Sequence, residues 1–322
     1  MPLRFAVLFL ALMLLYPQAA LSAARSAFAL WQQTVAPSLL PFFALIPALT
    51  SPEATACFGH LLRLPCRLLG IPEAAAGAVG IALAAGSPAG ARALACIAAA
   101  ESLPSGGALR AALMCGGVSP GFIVSGVGAG MLGDPSLGTL LLAAQILSLL
   151  STSLLLRILL PQNMRLPPAA DAAAASVPPI RFALSGVASI LVWMVIFSVG
   201  TSIAGEICPA AAPIFALSAE FSTACAWAAQ QNLPLWAFGM VIGFGGVCVF
   251  CQNMAVLKTV GIPPGMFFAG KCIHAVLCGA FTLLLGCVRM PALSFAPQWV
   301  LPFLCIACVL PLRRKIANPA LK

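Results

Sequence analysis

The chain has 322 residues, 62% of them hydrophobic and only 7% charged. Soluble globular proteins are typically about 25% charged, so this composition cannot clothe a water-facing surface, and a soluble fold is excluded. The net charge of +9 comes from basic residues scattered between apolar stretches. There is no dense basic patch with interleaved aromatics, so nucleic acid is excluded as a partner and the charges read as markers of orientation in a bilayer. The alternation expected of a membrane β-barrel is absent. The fold class is therefore all-α, a polytopic transmembrane helical bundle.

The first stretch, MPLRFAVLFLALMLLYPQAALSA, has a basic start, an apolar middle and small residues at its end. That pattern fits a cleaved signal peptide, but ARSAFALWQQTVAPSLLPFF carries on without a soluble domain, which favours an uncleaved first helix. Helices are expected at 3–23 and 28–50, then an amphipathic stretch, FGHLLRLPCRLLGIPE, with Arg63 and Arg67. A Gly/Pro-broken segment covers 75–100. Spans follow at 107–133 and 136–160, the latter holding LGTLLLAAQILSLLSTSLLL, which reaches the roughly 20 residues needed to cross a bilayer. Residues 161–180 are Pro- and Ala-rich and read as the main linker. Spans at 181–203 and 211–231 precede a second Gly-broken segment at 234–256. Two last spans are expected at 262–288 and 291–312, followed by a basic tail.

Arg313, Arg314 and Lys315 place that tail in the cytoplasm. Lys258 is then cytoplasmic if the last two segments span. The linker with Arg157, Arg165 and Arg181 is cytoplasmic if two spans separate it from Gln231. Both hold together only if 234–256 enters and leaves on one side. The same reasoning applies to 75–100, between Arg63 and Arg67 before it and Arg110 after it. The expectation is about eight spans plus two re-entrant hairpins.

The two hairpins look like an internal repeat. Gly80 and Gly239, Gly86 and Gly245, Pro104 and Pro263, and Gly106 and Gly265 are each 159 positions apart. Breaks in membrane helices expose backbone groups that must face protein or a water-filled cavity, and transporters place their sites where such broken repeats meet. Gly86, Ser87 and Gly90 on one side, and Gly245 and Gly246 on the other, are candidate linings. The N-termini of half-helices favour anions, and the planar fork of Arg92 suits a carboxylate. A further Gly-laden stretch, CGGVSPGFIVSGVGAGMLGD, puts Ser119 beside Pro120 at the start of a kinked, pathway-lining helix.

Charged residues inside a membrane are costly and so mark function. Glu220 is the deepest acid in its span and is the candidate for binding a coupling ion. Lys271 and His274 share a helix face; Lys271 is a candidate substrate contact, with snorkelling to the surface as its bland alternative. Glu101, Arg110, Lys258 and Arg289 lie near segment ends and mark interfaces. The cysteines sit in apolar surroundings, including Cys248 and Cys251 and Cys305 and Cys308 at CxxC spacing. They read as packing residues rather than metal ligands, and no metal or cofactor is expected. No nucleophile–base pair and no HExxH is present, so no enzyme chemistry is visible.

Read in order, LWQQTVAPSLLPFF, GSPAGARA, VSPGFIVSGVGAGMLG, LSAEFSTACA and FGGVCVFCQ resemble the sporulation integral membrane protein family called YlbJ or stage V sporulation protein VV. That family belongs to the nucleoside-recognition, or Gate, group related to concentrative nucleoside transporters. The resemblance covers roughly residues 25 to 312. Where the family reads S-G-Y-P-x-G-A-K, this chain has Ala85, Ser87 and Arg92 for the first Ser, the Tyr and the Lys; where it reads E-x-T-x-G, the chain keeps Glu220 but continues Phe221-Ser222-Thr223-Ala224.

The resemblance implies a role in endospore formation, in the outer membrane around the forespore, moving dipicolinic acid from the mother cell. It also implies an organisation: a membrane helix over 1–27, Gate-like repeats over 28–160 and 181–312, a cytoplasmic linker over 161–180 and a basic cytoplasmic tail over 313–322. The expected substrate contacts are Gly86, Ser87, Gly90, Arg92, Ser119, Gly245, Gly246, Gln252 and Lys271. The expected partners are the anionic solute and the lipid bilayer, with a second copy of the chain or other sporulation membrane proteins as further candidates. A nucleoside carrier and a non-transporting sporulation scaffold are the rival readings.

Overall fold

A computed structural model of the chain describes residues 3–49, 51–100, 103–160 and 179–287. Every regular element among the described residues is helical. The α-helices run α1 (Leu3–Leu15), α2 (Pro17–Leu30), α3 (Ala36–Leu49), α4 (Pro52–Leu68), α5 (Ala76–Ala85), α6 (Ala89–Ala100), α7 (Ser105–Cys115), α8 (Pro135–Leu159), α9 (Pro179–Ile207), α10 (Ala212–Ser218), α11 (Phe221–Gln230), α12 (Leu235–Phe244), α13 (Gly246–Leu257) and α14 (Pro264–Cys287). Two π-helical stretches, Trp31–Val35 and Phe122–Met131, join α2 to α3 and lead into α8.

Local chemistry sets several of these boundaries. The Ser51 hydroxyl accepts the Ala54 N–H at 3.2 Å and Pro52 opens α4. The Asp134 carboxylate accepts the Ser136 N–H at 2.8 Å and Pro135 opens α8. Both follow the usual pairing of a polar N-cap with proline at the first helical position. At the other ends, Gly86 with φ 73° stops α5 and Gly245 with φ 78° stops α12.

Four helical segments are long and apolar enough to cross a membrane: Pro135–Leu159, Gly186–Ile207, Leu235–Val260 and Pro264–Cys287. The bent pair Leu3–Leu15 and Pro17–Leu45 makes a fifth if it counts as one span. The chain is thus a multi-pass membrane protein, with four or five candidate spans among the described residues where about eight were expected. The expected span at 291–312 and the basic tail lie outside the described residues. Exposed leucines and isoleucine on α8 (Leu154, Leu155, Ile158) and on α14 (Leu283, Leu284) suit contact with lipid rather than water.

The second expected hairpin is corrected. Leu235–Val260 forms one 26-residue apolar segment, the length of a crossing. Gly245 and Gly246 interrupt its hydrogen-bond ladder, yet α12 and α13 together keep the span. The charge-based orientation required this segment to turn back, so that argument no longer holds. The first broken segment differs: α5 and α6 are two separate short apolar helices on either side of Gly86–Pro88. The helix boundaries nevertheless keep the sequence spacing. Helices α5 and α12 begin at 76 and 235, and α7 and α14 at 105 and 264, in each case 159 apart.

The core joins the two halves of the chain. One buried cluster packs Val79, Leu94, Leu109 and Met114 against Leu257 and Phe267. A second packs Phe43, Phe122 and Leu141 against Met194, Cys225 and Phe238. Arg110, expected at an interface, is instead buried at 1% exposure and donates to the Gly70 carbonyl from Nη2 at 2.6 Å and Nε at 3.2 Å. The α4–α5 turn brings that carbonyl over α7 and gives the guanidinium a half-buried acceptor.

Candidate functional site

Each helix break is tied to another irregular stretch. The Ser87 N–H donates to the Gly117 carbonyl just beyond α7, and the Cys248 N–H donates to the Ala219 carbonyl just before α11, both at 2.8 Å. Backbone groups freed by the breaks are thus satisfied inside the protein, as a membrane interior requires. The approaches are close. A Cβ on Gly86 would lie 2.4 Å from the Ser119 Cα, and one on Gly246 would lie 3.0 Å from both the Ala219 oxygen and the Phe221 nitrogen. With φ values of 73° and 76°, both positions call for glycine on conformation and on space.

Between these paired breaks lies a small cavity of about 30 Å³, room for a water or two and well short of the roughly 300–1,000 Å³ common for small-molecule sites. Its polar wall comprises Ser87, Ser119, Glu220, Ser222 and Gln252. Leu39, Phe43, Phe122, Met194, Phe221 and Val249 supply much of the apolar wall. The side chain of Ser119 is buried and its hydroxyl has no hydrogen-bond partner among the described residues. Gln252 uses its amide nitrogen on the Cys248 sulfur at 3.3 Å.

Glu220 is 2% exposed and caps α11, its carboxylate accepting the N–H groups of Ser222 at 3.1 Å and Thr223 at 2.8 Å. The N-terminus of α11 thus holds the protein's own carboxylate.

The chain is similar to the sporulation integral membrane protein YlbJ of Bacillus subtilis (strain 168), with 32% identity over 143 residues. The aligned stretch covers 44% of this chain and 35% of that protein. No protein-family model matches the chain, and no solved structure matches it.

The expected site residues do not all meet at the cavity. Ser87, Ser119, Glu220 and Gln252 line it. Gly86, Gly245 and Gly246 shape the breaks beside it, while Gly90 lets α6 approach α5, since a Cβ there would lie 2.3 Å from the Ala82 Cβ. Arg92 is exposed on α6 and does not line the cavity. At 100° per residue it lies about 200° around the helix from Gly90, so burying Gly90 turns Arg92 outward. Lys271 is buried rather than snorkelling, but it too is off the cavity wall. Its Nζ donates to the Gly116 carbonyl at 3.2 Å and lies 3.5 Å from the His274 Nδ1.

Sequence reasoning passed over Asn253 and Gln145. Asn253 is fully buried and accepts the Ser87 hydroxyl at 2.5 Å, and Gln145 donates to the Val118 carbonyl at 2.9 Å. Gln145 carried a usable signal, a polar amide in the middle of a long apolar helix. Asn253 carries a similar signal, a polar amide next to Gln252 in the apolar helix α13.

Proposed function

We propose that the chain is a secondary transporter or facilitator of endospore-forming cells that moves a small carboxylate-bearing solute across a membrane. Dipicolinic acid is the leading substrate and the outer forespore membrane its setting, as the family resemblance implies. The observation that carries this reading is the convergence of polar side chains beside the helix breaks, around a cavity that must widen to admit a solute. Ser87, Ser119 and Glu220 come from three separate irregular stretches and Gln252 from α13, and all converge there. A site built on breaks between two related halves is the arrangement in which rocking of one half against the other exposes a solute to alternate sides.

Glu220 sets the coupling in this reading. Two carboxylates sharing a confined site cannot both stay ionised cheaply. The anion therefore enters with a proton on Glu220, and solute and proton move together.

A neutral, hydrogen-bonding nucleoside is the second reading. What favours it is that no Lys or Arg lines the cavity among the described residues.

One experiment separates these. The purified full-length chain is reconstituted in liposomes, and uptake of labelled dipicolinate and of labelled nucleosides is followed with an inward proton gradient. Gradient-stimulated dipicolinate uptake supports the leading reading. Nucleoside uptake alone replaces it with the second. A folded chain that moves neither solute is a membrane scaffold.

A further inference from the structure

We propose that the ammonium group of Lys271 is a built-in cation, occupying a monovalent-cation site at the end of α7. The side chain is 1% exposed, so it has left both water and lipid headgroups. It did not do so for an acid: the ion pairs among the described residues are Arg63 and Arg67 with Glu73. On α8, α7 and α12, the elements packed against α14, the charged residues are Arg157 and Arg110, with no acid among them. On α14 itself the neighbouring titratable groups are Cys272, His274 and Cys278.

What Lys271 meets instead is the Gly116 carbonyl at 3.2 Å, in the turn where α7 ends. The last carbonyls of a helix lack partners within it and carry the negative end of its dipole. The second helix break closes the site from behind, since a Cβ on Gly245 would lie 3.7 Å from Nζ.

Two buried amides crowd the same turn. A Cβ on Gly116 would lie 3.5 Å from the Asn253 Nδ2, and one on Gly117 would lie 3.5 Å from the Gln145 Nε2. Of their polar atoms, the Gln145 Oε1 is an acceptor with no hydrogen-bond partner among the described residues, whereas the unpartnered Asn253 Nδ2 is a donor. Uncharged oxygens, an unwound turn and a helix C-terminus are what hold a coupling sodium ion or proton in transporters with broken helices. Lys271 fills that place with a tethered charge, so the chain needs no external sodium or potassium there.

The test uses the full-length chain in detergent and measures thermal stability in chloride salts of choline, sodium and methylammonium at equal ionic strength. Wild type melts at the same temperature in all three. Lys271→Ala opens the hole, so it melts lower in choline and recovers by about 4 °C or more in sodium or methylammonium. Lys271→Met fills the hole without a charge and recovers in neither salt. Should Lys271→Ala need a cation to fold at all, it is purified in methylammonium.

A Lys271→Ala protein whose stability ignores the cation overturns the proposal. So does one that no cation folds while Lys271→Met folds. This readout involves no carried solute, so a failure of the transport reading leaves it standing.

Discussion

The hydroxyl of Ser87 donates to the side-chain oxygen of Asn253 across 2.5 Å, tying the first broken segment to the helix that follows the second break. Asn253 is fully buried, so its oxygen has no water to turn to. Ser87→Ala should cost about 1–3 kcal/mol, the usual cost of leaving a buried acceptor unpaired. A double-mutant cycle with Asn253→Ala should show a coupling of about 0.5–3 kcal/mol. Thermal or denaturant melts of the four proteins measure it, and additive effects would mean that the two breaks are not joined at this point.

The glycines at the breaks predict a graded response to alanine. Gly133 has φ 69° and nothing within 4 Å of an added Cβ, so Gly133→Ala should show the backbone cost alone, about 1–2 kcal/mol. Gly86→Ala carries the same backbone cost plus a collision with the Ser119 backbone at 2.4 Å. It should lose well over 2 kcal/mol, of the order of an overpacked core. Melting temperatures and the yield of monodisperse protein should therefore rank wild type, then Gly133→Ala, then Gly86→Ala.

Helical class, membrane placement and the two break points were legible because they rest on apolar length and on glycine and proline positions, which are local. The path of the chain through a break was not. Hydropathy treats 75–100 and 234–256 alike, yet α12 and α13 together make a crossing-length segment while α5 and α6 stay two short helices. The partners of the cations were not legible either. The acceptor of Arg110 is a carbonyl 40 positions away and that of Lys271 one 155 away. No spacing rule reaches such distances. Arg92 was misleading for a related reason: proximity in sequence to Gly86 and Pro88 says nothing about which side of α6 faces the cavity.

Glu73, in the turn between α4 and α5 and outside the membrane-spanning segments, predicts a mild dependence on acid. Arg63 donates to one carboxylate oxygen at 2.7 Å and Arg67 to the other. These bonds and charges, that of Arg67 first, hold the carboxyl below its ordinary range. A carboxyl lowered in the folded state stabilises the fold above the unfolded value, and that contribution disappears as pH falls through the folded one. The melting temperature should therefore decline as pH drops below the ordinary carboxylate range, and Glu73→Gln should remove that part of the decline. The pair is exposed, so the effect should be small and should shrink in high salt.

Glu220 gives the prediction that joins fold to function. Its carboxylate caps α11 through two backbone N–H groups while lining the cavity. Substitution can separate the two roles. Glu220→Ala removes the cap and should cost about 0.5–2 kcal/mol. Glu220→Gln keeps one acceptor oxygen for the cap but removes the charge, so it should melt close to wild type. Under the anionic reading that loss of charge also lifts the repulsion against the solute. Dipicolinate should then bind Glu220→Gln more tightly than wild type at neutral pH, with little change on acidification, while stimulation of uptake by a proton gradient disappears. Equilibrium binding against pH and gradient-driven uptake in liposomes measure the two effects on one variant. Tighter binding with gradient stimulation intact would move the coupling proton to another residue; weaker binding would mean that the carboxylate attracts the solute, as a hydroxyl-rich nucleoside would require.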